Sequence, residues 1–430
     1  MGRTLTEHGV RREPAARLMA DRVRSFRATP RDRKRSLPER QHDPRPQRHE
    51  APGAPRRSRS ELVLASIAAH GLPVGIAAFP TSPLDAPDWL DLLGAAREQR
   101  VLGWLVEALR QQSLPATADQ HAAARAAFRA SSMTVLGLEQ QLLDVVAALD
   151  ESGIPVRVLK GPATARTLYA GREGVRSFVD IDLLVPGEQF EEAGRVAVAL
   201  GGCRRHLEPR RGFDRRFSKA VTFGMPSGLA VDLHRTLAAG PYGFTVDPRD
   251  LFVGGESFCL GGRELQGIER HNAFLHACLH SVLGDRPPRL VPLRDVAQFL
   301  VGDGLDLDLV VRRAMRWKVE AVVAQAVLAA QSQLSPDHRL PLGSWASSYR
   351  MRRWEPHILD VYVGEQRAYP RQLLAALPFV PGVRGKVSYM SALAFPQGPY
   401  VKSREGSYRR RWRHALEILF RRRSGGSSPG

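Results

Sequence analysis

Cysteine is scarce in this chain of 430 residues: Cys203, Cys259 and Cys278 are its only three. Three scattered thiols exclude a disulfide framework or a zinc ribbon, and a reducing cytoplasm is the expected setting. No repeat of fixed period runs along the chain, which sets aside repeat architectures. Long apolar runs are missing as well. Residues 62–79 lack formal charge and follow Arg56, Arg57 and Arg59, but His70, Gly71, Pro73 and Gly75 interrupt them. Starting only at residue 62, this stretch is expected to be neither a signal nor a membrane anchor.

What is present is apolar material and positive charge. Hydrophobic residues make up 43% of the chain, enough for two or three packed units, and 63 Lys and Arg against 44 Asp and Glu give +19. That charge sits at the ends. Residues 1–60 hold 17 basic and 7 acidic side chains, residues 401–430 hold 9 and 2, and the 340 between them hold 37 and 35. The middle is therefore an ordinary, nearly neutral body, and nucleic-acid contact is an expectation for the basic ends alone. Residues 1–60, with seven prolines and no sustained period, read as a disordered arm. Residues 401–430 read as a basic tail, where Tyr408, Trp412, Leu416 and Leu419 form a helical stripe for docking onto the body.

Between the ends, residues 61–152 read as an N-terminal helical region. Trp89, Leu92, Leu93 and Ala96, then Leu102, Leu105, Val106 and Leu109, recur at helical spacing, and residues 118–151 carry a further stripe at Leu138, Leu142, Val145, Val146 and Leu149. The texture changes over residues 153–263. Val156, Val158 and Leu159 predict a short strand entering the Lys160-Gly161 turn, and Pro162 at a first helical position predicts a helix to Ala170. Strands are expected at Phe178–Val185, Lys219–Gly224 and Leu229–His234, with a helix at Gly187–Leu200 and a basic loop at Arg204–Arg216. Consecutive strands with few helices between them favour a small mixed or antiparallel sheet. Helical periodicity returns in residues 264–400, which include a long Ala/Val-rich run from Leu307 to Leu334. The expected fold class is α+β, a small mixed or antiparallel core sheet flanked by N- and C-terminal helical regions.

Three segments of the core carry chemistry: LKGPATARTLY (159–169), RSFVDIDLLV (176–185) and LAVDLHR (229–235). Asp180 and Asp182, at i and i+2 of one strand, point the same way with about 6–7 Å between them along the backbone. Asp232 can join from a neighbouring strand, and three acids without sulfur ligands suit Mg²⁺. With two such ions, one can activate an attacking hydroxyl while the other holds a triphosphate and its leaving pyrophosphate. Gly161 at a helix N-terminus offers backbone N–H groups to phosphate, Lys160 adds a positive charge, and Arg176 is placed to clamp a phosphate oxygen. His234 shares the strand face of Asp232, to touch phosphate or orient that acid. Asn272, His276 and His280 recur every four residues. An i, i+4 histidine pair can share zinc, but without HExxH or a third ligand the expected role is a polar wall near the cleft.

This set resembles the polymerase-beta-like nucleotidyltransferase superfamily, and within it the uncharacterised nucleotidyltransferases, whose pattern "lKG…lY…R…DiDlLv…DlH" is matched by Lys160, Gly161, Tyr169, Arg176, Asp180, Asp182, Leu183, Leu184, Asp232 and His234. The resemblance extends from about Asp88 through the LHACLH segment (275–280) and Asp295 to the Tyr408–Trp412 region. It implies nucleotidyl transfer from an NTP such as ATP, with Asp180 and Asp182 as metal ligands and Asp232 as third ligand or base. Pro162 departs from the Gly-Ser or Gly-Gly turn of many members, so the phosphate cradle leans on Lys160, Thr164 and Arg176. The 19 residues from Gly161 to Asp180 also exceed the separation in minimal members. The acceptor stays open between a small molecule, tRNA and protein. The competing readings are an inactive nucleotide- or RNA-binding module and a toxin-like enzyme modifying tRNA or protein.

Overall fold

The structure is a computed structural model, and it describes residues 58–285, 288–364 and 369–413. The arm at 1–57 and the tail at 414–430, including Leu416 and Leu419, lie outside the described residues.

Four helices come first: α1 (Arg59–Ala69), α2 (Ala86–Glu98), α3 (Leu102–Arg110) and α4 (Ala118–Glu151). Ser58 and Thr117 open α1 and α4 as capping boxes with Glu61 and Gln120, satisfying backbone N–H groups that a helix start leaves unpaired. The charge-free stretch at 62–79 ends its helix at Ala69. Among the described residues, no helix is long and apolar enough to cross a membrane.

The core follows as β1 (Arg157–Val158), α5 (Pro162–Thr167), β2 (Ile181–Leu184), α6 (Phe190–Ala199), β3 (Cys203–Arg204), α7 (Phe213–Phe217), β4 (Ala220–Gly224), β5 (Ala230–His234) and α8 (Gly240–Thr245). The hairpin β6 (Ser257–Leu260) and β7 (Arg263–Gln266) closes it as a separate two-stranded sheet. The main sheet runs β1-β2-β5-β4-β3, with β2 and β5 parallel and the remaining pairs antiparallel. This is the α+β class with the mixed sheet expected from consecutive strands. On one sheet face, Val231 and Leu233 of β5 and Ile181 and Leu183 of β2 bury against the α4 stripe Leu138–Leu149 and against Phe190, Ala193 and Ala197 of α6. Strand alternation therefore sends Asp182, Asp232 and His234 to the opposite face.

The C-terminal helices are α9 (Arg270–Leu283), α10 (Leu290–Val301), α11 (Leu307–Trp317), α12 (Glu320–Leu334), α13 (Gly343–Ser348), α14 (Glu355–Val363), α15 (Tyr369–Ala376), α16 (Val383–Ala394) and α17 (Gly398–Glu405). A common core joins α9, α10 and α12 to α1–α3 and to Leu159, Tyr169 and Leu184 of the central unit. The expected single run from Leu307 to Leu334 is two helices instead. Lys318 adopts the left-handed conformation (φ 55°) and ends α11, so that Trp317 and Val319 can both bury completely. The helix after Pro162 stops at Thr167, short of Ala170.

Candidate active site

β2 and β5 set the site. Their parallel register places Asp182 directly beside Asp232 and Leu184 beside His234. Asp180 lies one residue before β2, yet its carboxylate still turns to the same lysine as Asp182. Lys160 Nζ sits 3.1 Å from Asp180 Oδ2 and 2.9 Å from Asp182 Oδ2. His234 Nε2 donates to Asp182 Oδ1 at 2.8 Å, and the ligand atoms of Asp182, Asp232 and His234 lie within 4.8 Å of one another. The imidazole therefore bonds Asp182 on the neighbouring strand, and not Asp232, the acid of its own strand that it was expected to orient.

Burial and charge act against each other at this centre. Asp182 is 3% exposed, which pushes its carboxyl up, but the Lys160 ammonium and the His234 hydrogen bond outweigh burial and hold it well below the usual carboxylate range. Lys160 shows the complement: burial pushes the ammonium down, while Asp182 and Asp180 raise it. Lys219, one residue before β4, loses more to burial and to the Lys160 charge than Asp182 and Asp232 return, and is lowered. One buried oxygen in this group, Asp232 Oδ1, has no hydrogen-bond partner, while Asp182 Oδ2 is met by the Lys160 ammonium at 2.9 Å. A buried carboxylate oxygen lacking a donor is costly, and hard oxygen atoms held this close suit a divalent cation. The residues present thus fit Mg²⁺, with Asp182 and Asp232 as its nearest donors and Asp180 on the far side of Lys160.

The Lys160-Gly161 turn depends on glycine. Gly161 has φ 61° and ψ −109°, and a Cβ there would meet the Phe178 ring at 3.3 Å. Thr164, within the short α5, is half-buried and lines neither of the two recesses described below. Arg176 is brought to the site wall, but its guanidinium is held elsewhere. It is 4% exposed; Nε donates to both oxygens of Asp295 at 3.0 and 3.1 Å, Nη2 donates to Asp295 Oδ2 at 2.8 Å, and Nη1 donates to the Ser177 carbonyl at 2.6 Å. Tyr169 Oη also donates to Asp295 Oδ1, at 3.0 Å. In place of the free phosphate clamp expected at residue 176, the structure has a buried tether, because a guanidinium this deep needs a carboxylate partner.

Residues outside the three segments complete the surroundings. Arg100, Lys160, Arg176 and Arg289 converge with Asp180 and Asp285 on a narrow recess. Arg100 sits in a left-handed turn (φ 59°) between α2 and α3, and Arg289 precedes α10. On α9, burial and then the positive charges of Lys219 and Lys160 keep His276 and His280 neutral, pushing His276 down to about 3. Among the described residues the only close group of metal-binding side chains is Asp182, Asp232 and His234, and of the α9 histidines His280 lines the narrow recess. Asn272 is tied to Arg313. A second recess, a cavity of about 350 Å³, opens from Asp232, His234 and Lys219 on the other side.

Residues 85–335, more than half of the chain, match the family described as "Uncharacterised nucleotidyltransferase". No curated protein matches. Two solved structures are similar at low overlap. One is the antibiotic-resistance factor ANT(2'')-Ia, at 18% identity over 45% of this chain and 94% of its own, with a TM-score of 0.28. The other is the Thermotoga maritima CCA-adding enzyme complexed with tRNA, at 14% identity over 70% and 90%, with a TM-score of 0.19.

Proposed function

The chain belongs to the uncharacterised nucleotidyltransferase family, and from that premise we propose that it is a Mg²⁺-dependent enzyme moving a nucleoside monophosphate from an NTP to an acceptor hydroxyl, with release of pyrophosphate. The observation that carries this reading is the pair of register-matched acids on β2 and β5, whose ligand atoms lie within 4.8 Å of each other and of which Asp232 keeps a buried oxygen with no hydrogen-bond partner.

Asp182 and Asp232, with Asp180 beside them, would hold Mg²⁺, which supplies Lewis-acid stabilisation of charge on phosphate oxygens when bound. His234 fixes the rotamer of Asp182 through its 2.8 Å hydrogen bond. Lys160, between Asp180 and Asp182, offers its ammonium to a phosphate oxygen at the edge of the recess. Arg100 and Arg289 converge on that recess from two helical regions and suit the triphosphate tail better than Arg176, whose nitrogens serve Asp295. Asp232, at the mouth of the second recess, is positioned to take the proton of an acceptor hydroxyl.

Turnover of radiolabelled NTP with Mg²⁺ across an acceptor panel tests the reading. The wild type is expected to transfer label and the Asp180→Ala/Asp182→Ala variant to lose transfer. Equal behaviour of the two across the panel overturns it.

A further inference from the structure

The second recess has a composition unlike the first. Phe213, Phe217, Phe244 and Tyr389 form its apolar wall, with ring centroids 5.2 Å apart for Phe217–Tyr389 and 6.3 Å for Phe217–Phe244. The Tyr389 hydroxyl donates to the carbonyl of Leu373, another lining residue, at 3.1 Å. The same cavity is lined by Asp232 and His234. A volume of about 350 Å³ is on the scale of one nucleoside-sized ligand, and flat faces set edge to face accept a flat ring.

Two segments that contribute to its lining are rich in basic residues. Residues 204–219 hold seven Lys and Arg against two acids, and residues 396–413 hold six against one. Residues 61–400 as a whole balance at 37 against 35, so the globular body outside the first of these segments is slightly acidic. The fold brings the two segments together over the cavity. Gln397 N donates to the Pro209 carbonyl at 2.7 Å, Arg210 Nη1 donates to Ser391 Oγ at 2.9 Å, and Arg404 lines the same cavity as His206. Arg205, Arg211, Arg216, Arg409 and Arg410 are exposed. Tyr408 and Trp412 each keep 43% of their surface exposed, and the Tyr408 hydroxyl donates to the Pro396 carbonyl. A small uncharged acceptor would need none of this charge. Cations tracking a backbone, with aromatic faces for bases, are the features of single-strand recognition.

Resting on the nucleotidyl-transfer reading above, we propose that the acceptor is the 3′ end of a single-stranded polynucleotide, with its terminal base in the aromatic cavity, its 3′-hydroxyl at Asp232 and its phosphates on the arginines of these two segments. In the transfer, the 3′-oxygen bonds to the α-phosphorus of the NTP. The bond from that phosphorus to the bridging oxygen breaks, its electron pair leaves with pyrophosphate, and the hydroxyl proton passes to the Asp232 carboxylate. The product is a strand one nucleotide longer.

The test uses the full chain with a fluorescent single-stranded RNA oligonucleotide bearing a free 3′-hydroxyl. Binding of RNA is expected to weaken steeply with salt. In the triple variant Arg205→Ser/Arg409→Ser/Arg410→Ser it should be about tenfold weaker or more, with the log–log salt slope shallower by about two. With Mg²⁺ and NTP the strand should lengthen, and a 3′-phosphate should block this. Phe244→Leu should reduce extension more than it reduces RNA binding. Extension of single-stranded DNA would equally support a polynucleotide acceptor. RNA binding that is salt-insensitive or unchanged in the triple variant overturns the proposal, as does transfer of label to a small alcohol or a tyrosine peptide without strand extension. Binding of Mg²⁺·NTP in the absence of RNA, compared between wild type and Asp182→Asn, separates the two readings: if it depends on Asp182 while RNA fails, only the acceptor assignment falls.

Discussion

Asp182 and Asp295 are both buried acids held by a cation and by a second donor, yet their surroundings are satisfied to different degrees. Asp295 accepts from Arg176 through both oxygens and from Tyr169 through one. Asp182 receives His234 on one oxygen and the Lys160 ammonium on the other, but its neighbour Asp232 keeps a buried oxygen with no donor. The completed network around Asp295 ties α10 to the segment that carries Asp180 and Asp182, and it needs nothing further. The incomplete one is where a cation and a phosphate have something to satisfy. Buried charge alone does not mark a site; unfilled coordination does.

Substitution of each acid breaks this comparison in a different way. Asp182→Asn is expected to lower NTP turnover by about a thousandfold or more while the chain stays folded, because it removes a charge the chemistry needs and little packing. Parallel turnover and thermal-melting measurements check it, and an active variant would move the site away from β2. Asp295→Ala is expected to act on the fold first. It strands the Arg176 guanidinium in the interior at a cost of about 3–5 kcal/mol, read from urea unfolding. The double replacement Arg176→Met/Asp295→Leu should recover much of that loss; if it does not, the tether does more than neutralise charge.

Two smaller effects sharpen the contrast. Gly161→Ala forces an L-residue into its positive-φ conformation against Phe178, and should destabilise the chain by about 1–3 kcal/mol. Turnover should fall further than stability alone explains, since Lys160 adjoins the turn. The smallest effect is pH-dependent. Burial, reinforced by Lys219, keeps His276 neutral down to about 3, whereas in the unfolded chain it protonates near 6.5. Between those values the unfolded state binds the extra proton, so stability is fully kept above pH 6.5 and drains as pH falls below it, by about 1.4 kcal/mol per pH unit for one such group. His276→Gln should flatten the slope measured from about pH 5 to 6.5, a window above the ordinary range of carboxylates. An unchanged slope would mean that the imidazole is not shielded.

Much of the core was legible in advance, for reasons visible in single residues. The alternation of Val231 and Leu233 with Asp232 and His234 marks a strand with one dry and one polar face, and the structure builds β5 there. The stripe from Leu138 to Leu149 foretells the buried face of α4, which spans 118–151 as read. Elements of two residues such as β3, and the hairpin from Ser257 to Gln266, carried too little periodicity to be read. The break at Lys318 was hidden because a non-glycine residue takes the left-handed position. Arg100, Lys219 and Arg289 were missed at the site for a different reason. Each comes from a separate stretch of chain, and none belongs to a motif; a lysine opening an otherwise apolar strand was the one available hint for Lys219. Arg176 was read as free because its partner lies 119 residues away.

The sequence by itself determined the local alphabet of this protein: a Lys-Gly turn, an Asp-x-Asp strand, a VDLH strand, helices on either side, and surplus positive charge concentrated in named segments. Such features follow from backbone sterics and periodicity, which act over a few residues. Only the tertiary structure decided that Asp182 and Asp232 stand side by side, that Lys160 spans two acids while Arg176 is tethered to a third, and that two basic segments nearly two hundred positions apart frame one aromatic cavity. Those outcomes depend on strand register and on which buried charges find partners, and both are settled by packing across the whole chain.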